Sequence, residues 1–306
     1  MNIADVAVAD NNLKKIIFTF LALTVFNIWA EDISYEYGEK SFLWEASAKN
    51  GNSVFILGSI HYGTKELYPL PYAVQSSFRQ SEVLVVESDI LNLNTSKMQQ
   101  LMVKYVVFPE EQTLSNNISR GTFEILKKRL NSFGFTMESM SNYKPWFIGL
   151  TMAAKEVIDR GFSEEFGIDR HFLRLADDLG KQIKELEGME FQFKLLSEFD
   201  AELQEEFLKM TLKNQSYNLN GAFNAWIKAD PQKMEQFLID EMSKTLKLQS
   251  LYDELFYERN IRMCFKIDEY VLSEKKHFVV VGAGHLVGER GILKILRKKG
   301  YKVKQL

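Results

Sequence analysis

Several things are scarce in this sequence, and each scarcity closes a class of function. One cysteine, Cys264, in 306 residues excludes an intramolecular disulfide and every zinc motif built on paired cysteines. A net charge of −3 leaves no basic field, so nucleic acid is not expected as a partner. Only 5 prolines against 13% aromatic residues speak for an ordered globular chain rather than a disordered one. There is no His-Glu-x-x-His, no Gly-x-Ser-x-Gly elbow and no P-loop. The glycine-rich stretch GAGHLVGERG, residues 282–291, fails as a dinucleotide fingerprint. Its third glycine position falls on Val287, and no acidic residue follows Glu289, where the fingerprint needs one about 20 residues on.

At 46% hydrophobic residues, the chain has enough apolar material for one large core. Lys14 and Lys15 precede the apolar run IIFTFLALTVFNIWA, which is short for a membrane span of about 20 residues. Residues 1–30 are therefore expected to be a signal peptide cleaved after Ala30, or else an uncleaved N-terminal anchor. The expected location is periplasmic or secreted, with a membrane partner only if the segment stays attached. No repeat or Pro/Gly-rich linker divides residues 31–306, so a single domain is expected there, with helical insertions near 95–180 and 190–275.

The fold expected is α/β, a mixed and partly parallel sheet under extensive helical cover. SFLWEA and SVFILGS flank an Asn-Gly turn and predict a hairpin. VLVVES and HFVVVG are short continuous apolar runs, as strands buried on both faces are. QIKELEG and YKVKQL are weaker strand candidates. Asp230-Pro231 predicts a helix start, and Gly300 a helix end. Cys264, in the helical stretch NIRMCFKI, reads as a small core residue.

Four strand ends carry chemistry. SVFILGSIH and HFVVVGAGH both close on Gly-x-x-His, presenting His61 and His285. The glycines are expected to permit a sharp turn or a close approach to a ligand. VLVVE and IKELE end in Glu87 and Glu187. Ligands of open α/β sheets bind outside the carboxyl ends of the strands, so two histidines and two glutamates meeting there predict a divalent-metal or acid/base site. Ser59 is expected to face away from His61, which argues against a serine nucleophile. His277 heads its strand and His171 lies in a helical stretch; both read as structural.

The sequence resembles the TraB/GumN family, which includes the TIKI proteases and is related to ChaN and erythromycin-esterase-like folds. The matching pieces are FILGSIHYG, VLVVESD, NYKPWFIGL, FGIDRHFLRLA, GKQIKELEG, YERNIRM and the closing FVVVGAGHLVGERGILKILRKKGYKV. The resemblance implies an α/β core whose two halves bring their histidines together. TIKI-type members imply a metal-dependent peptidase, and ChaN-like relatives imply haem binding. His61, His285 and Glu87 fill the family's principal positions; Arg259, Asn260, Asp169 and Trp146 match further ones. The expected function is an exported metal-dependent hydrolase of peptide or protein substrates. His61, His285 and Glu87 would hold Zn, Mn or Co, Glu187 would act as base, and Arg259 would orient a carboxylate or substrate oxyanion. The competing expectation is a binding protein that sequesters a peptide or haem without turnover.

Overall fold

The computed structural model of the protein describes residues 35–213, 219–242 and 245–306. The leader expected at residues 1–30 lies outside the described residues. Among the described residues no helix is long and apolar enough to cross a membrane.

The described chain divides into two compact units. One, residues 92–161 and 189–213, contains helices and no sheet strand. Its long helix Pro145–Asp159 starts on a proline, whose missing N–H costs nothing at that position, and buries residues over nearly its whole length. Helix Met189–Ser197 buries Met189, Phe193 and Leu196, so this aromatic stretch is core.

The other unit, residues 35–91, 162–188 and the described part of 216–306, contains the sheet. All six segments read as strands are strands: β1 Leu43–Ser47, β2 Ser53–Ser59, β3 Val83–Val86, β4 Gln182–Glu185, β5 His277–Gly282 and β6 Lys302–Gln305. Their order is β4-β3-β5-β2-β1-β6. β1 pairs antiparallel with β2 and β6, whereas β2, β5, β3 and β4 run parallel. The sheet is therefore mixed, as expected.

Its centre is apolar and buried on both faces. Val83, Leu84, Val85 and Val86 are each at most 1% exposed, as are Phe278, Val279, Val280 and Val281. Each such side chain contributes on the order of 1.5–3 kcal/mol of burial. The helices of this unit include α1 Ile168–Asp178, α2 Leu219–Ile227, α3 Pro231–Met242, α4 Glu258–Leu272, α5 Ala283–Leu286 and α6 Ile292–Lys298. α3 begins where Asp230-Pro231 predicts, with Asp230 Oδ1 accepting from the N–H groups of Gln232 and Lys233. α6 ends before Gly300, which takes a φ of 93°, the left-handed conformation that favours glycine. Cys264 is buried in α4, and burial pushes its thiol up to about 12.

Register decides what arrives at the carboxyl edge. Ser59 at the end of β2 pairs with Gly282 at the end of β5, and Val86 of β3 pairs with both Val280 and Glu185. The residues just past these pairs are His61, His285, Glu87 and Glu187.

Candidate active site

Glu87 and Glu187 are drawn together by one guanidinium. Glu187 N–H donates to the Glu87 carbonyl at 3.0 Å, carrying the β3–β4 ladder one step past the strands. Arg259, in the first turn of α4 and 1% exposed, reaches both carboxylates. Its Nε and Nη2 donate to the two oxygens of Glu187 at 2.9 and 2.7 Å. Nη2 also donates to Glu87 Oε2 at 2.7 Å, and Nη1 to the Leu255 carbonyl at 3.1 Å. Leu255 lies in the π-helical turn Asp253–Tyr257 that leads into α4. A wide turn leaves a carbonyl accessible to a side chain, and Arg259 takes it. Two buried acids side by side would otherwise repel; the shared cation offsets that repulsion. Burial raises the Glu87 carboxyl, against the pull of Arg259.

The first histidine is held from α1. His61 Nδ1 lies 2.7 Å from Asp169 Oδ2, and Ser59 Oγ donates to Asp169 Oδ1 at 2.9 Å. The expectation for Ser59 is thus corrected: residues two apart along a strand share a face, and Ser59 and His61 meet the same carboxylate. Ser59 supports Asp169 and is not placed as a nucleophile. The loop after β2 is stitched to α1 by Ile168 N–H to the Ile60 carbonyl at 3.0 Å. Gly167 makes this possible, since a Cβ there would overlap the His61 carbonyl oxygen.

The second histidine is held from α4. His285 in α5, 1% exposed, sets Nδ1 2.6 Å from Asn260 Oδ1. Its Nε2 lies 3.9 Å from Glu87 Oε1, which accepts the Gly282 N–H at 2.7 Å. Nε2 of both His61 and His285 is buried with no hydrogen-bond partner among the described residues. The two rings and Glu87 are close enough to act on one another electrostatically.

Their charges differ. Burial pulls His61 down, but the Asp169 carboxylate more than offsets it, and the ring is raised above its ordinary value. Burial, Arg259 and His61 all push His285 well below it. Asp169 is held below the usual carboxylate range: burial opposes this, and the pairing with His61 prevails.

Gly58 lies inside β2, where a Cβ would stand 2.5 Å from the Phe42 ring and 3.1 Å from Ala283 Cα. It serves packing rather than a turn. Its carbonyl accepts from Trp226 Nε1 of α2 at 2.6 Å. His277 and His171 lie apart from the site. His277 stacks on Tyr270, with Nδ1 2.9 Å from the Lys275 carbonyl, and His171 packs on Tyr68. The pairings of Asp169 and Asn260 with the histidines had no signal in the residues themselves beyond their match to family positions.

Among curated proteins, YbaP of Escherichia coli strain K12, itself uncharacterized, is 29% identical over 81% of this chain and 89% of its own. A metalloprotease TIKI homolog of Amphimedon queenslandica is 23% identical over 88% of this chain and 62% of that protein. Metalloprotease TIKI1 of Xenopus tropicalis is 20% identical over 86% and 61%. No solved structure matches. The profile of the TraB/PrgY/gumN family spans residues 42–305, from the strand before the first Gly-x-x-His to the strand after the second, and the chain belongs to that family.

Proposed function

We propose that this protein is a metal-dependent hydrolase whose substrate is a peptide bond. The observation that carries the reading is the pair of buried imidazoles at one sheet edge, each engaged at Nδ1 and unpartnered at Nε2. A metal-binding histidine needs that arrangement: the outer nitrogen donates to an acceptor, and the inner one keeps its lone pair.

The donor set suits a divalent metal on its chemistry. Neutral imidazole nitrogen and carboxylate oxygen suit Zn, Mn or Co, and the two Nε2 atoms fit. Among the described residues no three His, Cys, Asp or Glu side chains already surround a common point. Glu87, the third ligand in our reading, is held by Arg259 and the Gly282 N–H. His61, His285 and Glu87 would hold the ion, with Glu87 Oε1 the oxygen nearest an imidazole. What a divalent cation supplies when bound is Lewis acidity toward water and carbonyl oxygen.

The protein groups supply the rest. Asp169 and Asn260 orient the rings. Arg259 fixes Glu187, the proposed general base, by donating to both of its oxygens. Resemblance to proteins named metalloproteases supports a peptide or protein substrate. The leader-like residues 1–30 support a periplasmic or secreted location.

The test is metal content by elemental mass spectrometry, with cleavage of a peptide library, on the wild type and on His61→Ala and His285→Ala. We expect near-stoichiometric metal and metal-dependent cleavage, both lost in the folded variants. Full activity in either variant would sink the mechanism. The second reading, sequestration without turnover, is favoured by the engagement of both Glu87 oxygens with Arg259 and the Gly282 N–H. A Soret band on haem addition, lost in a histidine variant and without peptide cleavage, would select it.

A further inference from the structure

Donor and acceptor bookkeeping around Asn260 fixes more than the position of its neighbour. Asn260 is fully buried at the start of α4 and has two described polar contacts. Its Nδ2 donates to the carbonyl of Arg290 at 2.9 Å, and its Oδ1 stands 2.6 Å from His285 Nδ1. A backbone carbonyl only accepts, so the amide nitrogen must face Arg290. The amide oxygen must then face the imidazole, and an amide oxygen also only accepts. The imidazole proton is thereby placed on Nδ1, and the lone pair on Nε2, the nitrogen without a partner.

The carbonyl that starts this relay is itself fixed. Arg290 lies between α5 and α6, in a loop where Gly288 takes a φ of 81°. At Gly291 a Cβ would overlap the carbonyl oxygen of Val287, so the loop closes tightly on itself. The Arg290 side chain pairs with Asp253, and its guanidinium carbon lies 4.0 Å over the Tyr257 ring. Both partners belong to the π-helical turn before α4. The loop after the second Gly-x-x-His and the turn before Asn260 are thus clamped together.

We propose that Asn260 is the positioning residue of His285, fixing the ring's proton on Nδ1 by reading the Arg290 carbonyl and so presenting the Nε2 lone pair to the site. The tautomer does not depend on any bound ion. Only its consequence for cation binding rests on the metal reading above.

The test uses the full chain, stripped of metal with a chelator and labelled with nitrogen-15 at histidine. The His285 resonances are identified by their loss in His285→Gln. Long-range proton–nitrogen correlation at pH 7.5 reports which ring nitrogen carries the proton, and Co(II) titration follows on the same samples. The wild type should carry it on Nδ1. Asn260→Leu removes the acceptor; the proton should move toward Nε2, and Co(II) should bind about 10–100-fold more weakly. Asn260→Asp keeps an acceptor for Nδ1–H and loses the donor to Arg290, so the proton should stay on Nδ1. A purely structural asparagine would cost stability in both variants without moving the proton.

A wild-type proton on Nε2 overturns the proposal without any variant having to fold. So does a folded Asn260→Leu protein with the proton still on Nδ1. A wild type with the proton on Nδ1 that binds no Co(II) upholds the relay and removes the metal reading.

Discussion

The two Gly-x-x-His motifs have the same spacing, follow parallel neighbouring strands and deliver an imidazole to the same edge, yet their histidines live in opposite surroundings. His61 leans on a carboxylate, Asp169, and is raised; His285 leans on an amide, Asn260, and is lowered. One hydrogen-bond geometry, with an anion in one half and a neutral dipole in the other, gives one ring that holds a proton readily and one that refuses it. Geometry comes from the repeated motif. Charge comes from helices elsewhere in the chain.

Removing the cation common to both halves should have the largest effect. Arg259→Met leaves Glu87 and Glu187 buried against each other, and should lower stability by about 3–5 kcal/mol, measured by urea denaturation. Stability within about 1 kcal/mol of wild type would mean that the two acids do not depend on the shared guanidinium.

Asp169→Asn makes the first half resemble the second. Divalent-metal affinity should fall about 10–100-fold, read by Co(II) titration. The sign of the pH effect sharpens the comparison in metal-free protein. His61 is raised, so its stabilisation is complete below the unfolded value of about 6.5 and is lost as pH rises through its folded value. His285 is lowered, so the unfolded chain binds the proton first. Its contribution is complete above about 6.5 and is lost as pH falls toward its folded value. Asp169→Asn should remove the alkaline-side loss and leave the acid-side loss. Urea denaturation from pH 5 to 9 checks this; an unchanged alkaline slope would refute the dyad.

Gly167→Ala should disturb one half alone. The added methyl meets the His61 carbonyl oxygen, and forcing it in should cost about 1–3 kcal/mol. His61 nitrogen shifts should move while those of His285 stay. Equal movement of both would mean the halves are not separately positioned. The smallest effect is expected in the helical unit, where Lys97 pairs with Glu190 at 2.8 Å, both partly exposed. Lys97→Ala should change stability by no more than about 1 kcal/mol and leave both histidines untouched, as differential scanning calorimetry and the same spectra would report.

Much of this is legible in the sequence. Continuous apolar runs mark β3 and β5, because a strand buried on both faces must be continuous in hydrophobicity; the Asn-Gly turn marks β1 and β2, and the half-exposed β4 and β6 give a weaker signal. The strand ends of the sheet then named His61, His285, Glu87 and Glu187, since parallel strands deliver their carboxyl ends to one edge. Less legible was the purpose of single residues. Gly58 reads as a residue for a sharp turn or a close approach to a ligand and instead makes room for Phe42; nothing local distinguishes the two, because the ring it accommodates lies outside β2, just before β1. For Ser59 the difference is one of alternation, since positions two apart along a strand lie on the same face.

By itself, then, the sequence determined the α/β class, the six strands and the residues that reach the sheet edge, all of which follow from hydrophobic period and turn chemistry within a few residues. Tertiary structure decided the partners: Asp169 for His61, Asn260 for His285, and Arg259 for two acids at once. Those pairings join residues 25 to 172 positions apart, and only the packing of helices on the sheet brings them within hydrogen-bond distance.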